Sequence, residues 1–187
     1  NYKNALERIY ALTEELRRLD GKKKSIDNWL VSKIHEHIRQ CNTAMENYNL
    51  RELASIVYYT IYEDLKWYLR RGGENKKVIS EAIDLWIRLM NPITPHISEE
   101  LNDSDKLVSA SSWPEAEQEK ISKKAEAGEE LVKNTMEGMR NVLSLAKISQ
   151  PRSFTLFIAE SWKYELVNII AKEIKVTRNA GEIMKRV

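Results

Sequence analysis

Ser25-Ile26-Asp27-Asn28-Trp29-Leu30-Val31-Ser32-Lys33-Ile34 and its continuation through His35 to Tyr48 carry apolar residues at Ile26, Leu30, Ile34, Ile38, Cys41, Met45 and Tyr48. Steps of three and four place these side chains on one face of a long helix. Ser25 stands where its hydroxyl can accept an otherwise unpaired backbone N–H of the first turn. Upstream, Leu6, Ile9, Tyr10, Thr13, Leu16 and Leu19 form a second stripe, which runs into Asp20-Gly21, where the glycine can take the left-handed conformation that ends a helix. Downstream, Asn49 can cap a third stripe of Leu50, Leu53, Ala54, Val57, Ile61, Leu65 and Tyr68 that stops at Gly72-Gly73. Val78, Ile79, Ala82, Ile83, Trp86, Leu89 and Met90 make a fourth, closed by Pro92, which disfavours helix in the residue before it. Thr94-Pro95 restarts a short helix, with threonine as cap and proline at the first position.

Four amphipathic helices joined by short turns read as an antiparallel up-and-down bundle over residues 1–101. In that topology the turn after the first helix and the turn after the third lie at the same end. Both turns are basic. Arg17, Arg18, Lys22, Lys23 and Lys24 flank the first, and Lys66, Arg70, Arg71, Lys76 and Lys77 the second. The geometry therefore predicts ten cationic side chains gathered at one pole.

Residues 102–150 read as a connector followed by a further helix over 120–147, with Leu131, Val132, Thr135, Met139, Val142, Leu143 and Ala146 as its buried side. Phe154 to Ala159 alternates as a strand buried on both faces, and Ser161 can cap the helix after it. A strand needs partners and none is evident upstream, so residues 151–187 read as the start of a small, truncated α+β module. The fold class is mainly α.

The composition narrows function by exclusion. The 187 residues hold 30 Lys plus Arg against 28 Asp plus Glu, and each half of the chain carries one net positive charge, so any nucleic-acid grip must be local. Charged residues interrupt every apolar stretch, leaving no run of roughly 18 for a membrane span. The lone Cys41 cannot form an internal disulfide, and no signal peptide opens the chain, so a reducing cytoplasm is expected. The start at Asn1-Tyr2, already in helical pattern and without Met, is expected of a piece of something longer. No Gly-x-Gly-x-x-Gly, Walker loop, nucleophile elbow or Cys-x-x-Cys occurs, so this chain offers no catalytic machinery. His35 and His37, two apart on a helix, point about 200° from each other and cannot close on one metal ion. They read as one exposed and one flanking histidine. Of the five tryptophans, Trp67 stands out because Lys66, Arg70 and Arg71 surround it, a setting in which an indole can stack on a base.

Asn91-Pro92-Ile93-Thr94-Pro95-His96-Ile97-Ser98-Glu99-Glu100-Leu101 resembles the A-P-F-T-P-H-I-A-E-E-L segment that closes the helical anticodon-binding domain of class Ia aminoacyl-tRNA synthetases. Asp27 to Lys33 is similar to the D-x-W-x-L-S-[RK] opening of that family's second long helix, and Ser112-Trp113-Pro114 to the S-W-P beyond the bundle. Within the family, Trp67-Tyr68-Leu69-Arg70-Arg71 and Glu160-Ser161-Trp162-Lys163-Tyr164-Glu165 resemble the archaeal and eukaryotic leucyl type. Asn102 departs from a usual Trp and Ile93 from a common Phe, which implies rearranged packing against the connector. The Thr94-Pro95-His96 frame is expected to be structural, with His96 hydrogen-bonding locally. Lys120-Ile121-Ser122-Lys123-Lys124 resembles the family's Lys-Met-Ser-Lys-Ser loop, yet no nucleotide-binding unit precedes it, and it reads as a solvated helix start.

The resemblance implies a noncatalytic, monomeric, cytoplasmic tRNA-binding domain with no cofactor of its own. ATP and Mg would belong to a catalytic domain upstream of Asn1, and tRNA-Leu would be the partner. Lys22, Lys23, Lys24, Lys66, Trp67, Arg70, Arg71, Lys76 and Lys77 are the expected nucleic-acid contacts. The competing reading is a structural or protein-interaction bundle that buttresses a synthetase or a multi-synthetase complex.

Overall fold

The computed structural model describes residues 2–177 and 179–186. Contact density divides the chain into two units, Asn1–Gly138 and Met139–Val187. The first is a helical bundle of α1 (Tyr2–Arg17), α2 (Ser25–Glu46), a rod made of α3 (Leu50–Ser55), a π-helical turn (Ile56–Thr60) and α4 (Ile61–Arg70), then α5 (Lys76–Met90) and the short α6 (Pro95–Glu100). The helical pattern of the sequence is thus realised, and the reason is burial: Ile9, Leu16, Leu30, Ile34, Ile38, Leu53, Ile61, Leu65, Tyr68, Ile79 and Trp86 form one continuous core. Chain segments 102–122 then fold back along the bundle, where Val108 is buried and Trp113 donates to Asn42 Oδ1 at 2.6 Å.

Several local expectations are corrected. The residue capping α2 is Lys24 rather than Ser25, and the Lys24 amide donates to the Asp27 carboxylate at 3.0 Å. Gly21 does not take a positive φ; it lies in an isolated parallel bridge with Asn75, its amide donating to the Glu74 carbonyl at 2.7 Å. A Cβ on Gly21 would fall 1.9 Å from Glu74 Cγ, so close approach of two turns is what glycine permits here. Tyr10 and Tyr48 leave their stripes for solvent. Tyr48 takes the left-handed position at φ 54° after α2 while the Asn49 amide closes on the Ala44 carbonyl at 2.8 Å, a turn that carries the tyrosine ring outward. Thr94 makes no side-chain cap; its Oγ1 instead accepts from the Tyr58 hydroxyl at 3.4 Å. His96 is exposed, and its imidazole makes no hydrogen bond among the described residues. Asn102 folds the connector on itself, its amide nitrogen donating to the Lys106 carbonyl at 2.7 Å and its Oδ1 accepting from the Ser104 amide at 3.1 Å.

Asn49 and the Gly72-Gly73 stop behave as read. Asn49 Oδ1 accepts from the Glu52 amide at 3.1 Å, and Gly72 sits at φ 76°, conformational space that side chains rarely enter.

Helix α7 (Lys123–Ala146), whose residues 123–138 belong to the first unit and 139–146 to the second, departs furthest from expectation. Its buried residue is Glu129, whereas Leu131, Val142 and Leu145 are exposed. In the second unit, α8 (Ser161–Glu173) packs against α9 (Ala180–Arg186), and no described residue there is buried. Phe154 to Ala159 joins no ladder among the described residues, and Phe157 and Ile158 stand in solvent. No strand of the expected α+β module forms among the described residues: a strand without a mate has no hydrogen bonds to define it.

Gly73 supplies a stability test. A Cβ there would meet the Tyr68 ring at 2.3 Å, and that ring is pinned by its hydroxyl to Asp27. Gly73→Ala is expected to lower the unfolding free energy by about 1–3 kcal/mol in urea titration.

Candidate nucleic-acid interface

The two basic turns meet. Beyond the Gly21–Glu74 hydrogen bond, Lys24 Nζ donates to the Gly72 carbonyl at 2.7 Å and pairs with Glu74 at 2.8 Å, and Lys76 lies 3.8 Å from Asp20. Beneath them sits a buried carboxylate. Asp27, at the start of α2, accepts from the Tyr68 hydroxyl at 2.7 Å, from Asn75 Nδ2 at 2.7 Å and from the Lys24 amide. Asn75 in turn caps α5, accepting from the amides of Lys77 and Val78. One acidic side chain thereby ties the start of α2, the end of α4 and the start of α5. Burial and the Asp27 hydrogen bond push the Tyr68 hydroxyl well above the usual phenolic range, so it stays a donor.

The nine expected contact residues divide into two groups. Lys22, Lys23, Lys66 and Lys77 are exposed and have no acidic partner among the described residues. The others are partly committed. Lys24 and Lys76 are paired as above, and the Arg70 guanidinium lies 5.6 Å from the Trp67 ring centre. Arg71 Nε donates to Glu129 Oε1 at 2.7 Å, and Trp67 Nε1 donates to the same oxygen at 2.8 Å. Trp67 is thus half-buried under α7 rather than an open stacking platform, with Lys133 5.2 Å from its ring centre and 5.0 Å from that of Trp29.

The histidines are not exposed or flanking: both are buried. They do point apart. His37 Nε2 lies 2.8 Å from Asp64 Oδ2 on α4, whereas His35 Nδ1 accepts the Glu117 amide at 3.1 Å from the connector. Donor atoms of His35, Glu81 and Glu117 fall within 4.8 Å of one another, a spacing a metal could use. Two features argue against one. Lys120 Nζ already bridges Glu81 and Glu117 at 2.8 Å each. With Nδ1 accepting a backbone N–H, neutral His35 also carries its proton on Nε2, the nitrogen facing the carboxylates. Lys120 is therefore a structural cation here; of the Lys120-to-Lys124 segment, Lys123 and Lys124 are exposed at the start of α7 as read, while Ser122 donates its amide to Ser32 Oγ at 2.8 Å. Cys41 is inert, its thiol pushed up to about 12 by burial.

Sequence reasoning missed Asp27 as the keystone and Glu129 as the cover. The spacing Asp27-Asn28-Trp29 was visible, but its partners Tyr68 and Asn75 lie more than 40 positions away.

Residues 27–158 match the family described as the anticodon-binding domain of tRNA ligase, and the chain belongs to that family. Among curated proteins it is 37% identical over 192 residues to the leucine–tRNA ligase of Methanocaldococcus jannaschii, covering 99% of this chain and 20% of that protein. The corresponding enzyme of Pyrococcus furiosus is 33% identical over 192 residues, with 96% and 20% covered. The chain thus spans about one-fifth of the length of these relatives. Among solved structures it resembles the Agrobacterium radiobacter LeuRS in a ternary complex with tRNA and LeuAMS, at TM-score 0.55 and 21% identity over 65% of this chain and 17% of that one, a likeness of fold.

Two outcomes test the site's construction. Asp27→Asn keeps the shape but replaces a multiple acceptor with a group that is half donor; it is expected to cost about 2–4 kcal/mol by chemical denaturation. His35 titrates below its ordinary value, through burial first and the Lys120 charge second. A depressed imidazole leaves stability whole above the unfolded value of about 6.5. Below that pH the unfolded chain takes a proton that the folded chain refuses, so stability falls by up to about 1.4 kcal/mol per pH unit. Melting curves from pH 7 to 5 should show this limb, and His35→Gln should flatten it.

Proposed function

We propose that this chain is the tRNA-docking segment of a leucyl-tRNA synthetase, presenting its cationic pole to tRNA backbone phosphates. The observation that carries the reading is the hydrogen-bonded union of two basic turns, which leaves Lys22, Lys23, Lys66 and Lys77 exposed around it. The family match and the leucine–tRNA ligase relatives support it. Phosphate contacts of this kind fix register and carry no base identity. On this reading tRNA-Leu is the partner, leucylation with ATP and Mg belongs to a separate catalytic domain of the same protein, and the chain works as a cytoplasmic monomer without a cofactor of its own.

A second reading attaches to the other pole. Leu6, Tyr10 and Ile97 line one shallow groove, and Leu6, Leu50, Ala54, Tyr58 and Ile93 line an adjoining one, both mainly apolar. That end suits a protein surface, and buttressing there would be compatible with RNA at the basic end. Gel filtration with and without tRNA separates an RNA complex from self-association.

Salt dependence tests the footprint. Lys22→Ala with Lys23→Ala should reduce the slope of log affinity for tRNA against log salt by about 2 units in filter binding. Arg70→Ala with Arg71→Ala should reduce it by less, because Arg71 is already charge-paired with Glu129. An unchanged slope in the lysine pair would remove that turn from the interface.

A further inference from the structure

Helix α7 is attached to the bundle in an unusual way. Its buried residue is a glutamate, while Leu131 in the same half of the helix is exposed. What holds its first half is polar: Ser32 Oγ donates to Glu126 at 2.6 Å, Lys133 lies 3.7 Å from Asp64 and over the rings of Trp29 and Trp67, and Glu129 takes two hydrogen bonds. Only Ala125 adds apolar contact with the core from this stretch among the described residues. An attachment made of ion pairs is weakened by salt and open to competition by another anion, whereas a core helix is held by water exclusion.

The two hydrogen bonds to Glu129 converge on one oxygen. An indole N–H and a guanidinium N–H that meet at a single anionic oxygen form a recognition pair for phosphate as much as for carboxylate. Both donors belong to the end of α4, beside the exposed Lys66 and on the same turn as Arg70.

We propose that Trp67 Nε1 and Arg71 Nε constitute a phosphodiester subsite, and that Glu129 is its intramolecular occupant. α7 is then a charge-held cover that RNA displaces: a backbone phosphate replaces the carboxylate, and the first half of α7 loosens from the bundle. The proposal rests on the basic pole being the RNA-docking surface. It adds that part of that surface is masked in the free chain.

The test uses the full 187-residue chain with tRNA as probe. Glu129→Gln keeps size and one acceptor oxygen but removes the competing charge, so tRNA affinity at low salt should rise and the salt slope steepen by about one unit. That corresponds to a roughly fourfold greater loss of affinity between 50 and 200 mM salt. Adding Trp67→Phe to Glu129→Gln should reverse part of the gain. Hydrogen exchange in the wild-type chain provides a readout independent of any variant: amides of residues 124–133 should exchange faster when tRNA is saturating. Unchanged or weaker binding by Glu129→Gln, or protection of those amides, overturns the proposal. If Lys22→Ala with Lys23→Ala still lowers the slope in that case, docking at the basic pole survives and only the masked subsite is lost. If neither variant alters binding, the docking reading itself falls.

Discussion

The architecture turns on the carboxylate of Asp27. It is buried, and a buried charge is tolerated only when its lone pairs are filled. Here the Tyr68 hydroxyl, the Asn75 amide and the Lys24 backbone N–H fill them. Because those donors come from the end of α4, the cap of α5 and the entry to α2, satisfying one side chain fixes three chain segments at once. The basic turns sit on that junction. Their lysines would repel one another if the turns were free, and the nearby acids Glu74 and Asp20 offset part of that repulsion. Positive charge is thereby concentrated without being dispersed by its own field.

Much of this was legible before any coordinates. The stripes of Leu30, Ile34 and Ile38, of Leu53, Val57, Ile61 and Leu65, and of Ile79, Ile83 and Trp86 are cores of real helices, and short turns between them dictated antiparallel packing and hence the meeting of the two basic corners. The buried histidines were not legible. One-sided periodicity predicts solvent on the far face of α2, but the connector folds back there, its Glu117 and Trp113 contacting His35 and Asn42, while His37 meets Asp64 of α4. Packing by a segment 71 and 82 positions distant leaves no trace in local spacing. The same holds for α7, whose apolar residues predicted a buried side while its seat on the bundle is made by Glu126, Glu129 and Lys133.

One irregularity did leave a trace. Leu53, Val57, Ile61 and Leu65 recur at three consecutive steps of four, all fully buried. A 3.6-residue helix drifts under such a repeat, and the stripe would wander off the core by the third step. The π-helical turn at Ile56–Thr60 widens the helix where that drift would accumulate, and keeps both halves of the rod facing inward. Widening the helix also loosens its hydrogen-bond ladder, and the Val57 carbonyl is taken up by Trp86 Nε1 at 2.7 Å. The tryptophan therefore belongs to the backbone solution as well as to the core.

A net charge of only +2 would ordinarily count against a nucleic-acid surface. The objection weakens once distance is considered. At physiological ionic strength, exposed charges act over about 8 Å, so a phosphate arriving at the joined turns is blind to acids elsewhere on the chain. What it meets is Lys22, Lys23, Lys66 and Lys77, with Asp20 and Glu74 already engaged by lysines of the same cap. The relevant quantity is the local excess that the Asp27 junction assembles. Glu129 is then the acid best placed to oppose an incoming phosphate, because it draws on both an arginine and a tryptophan of that region.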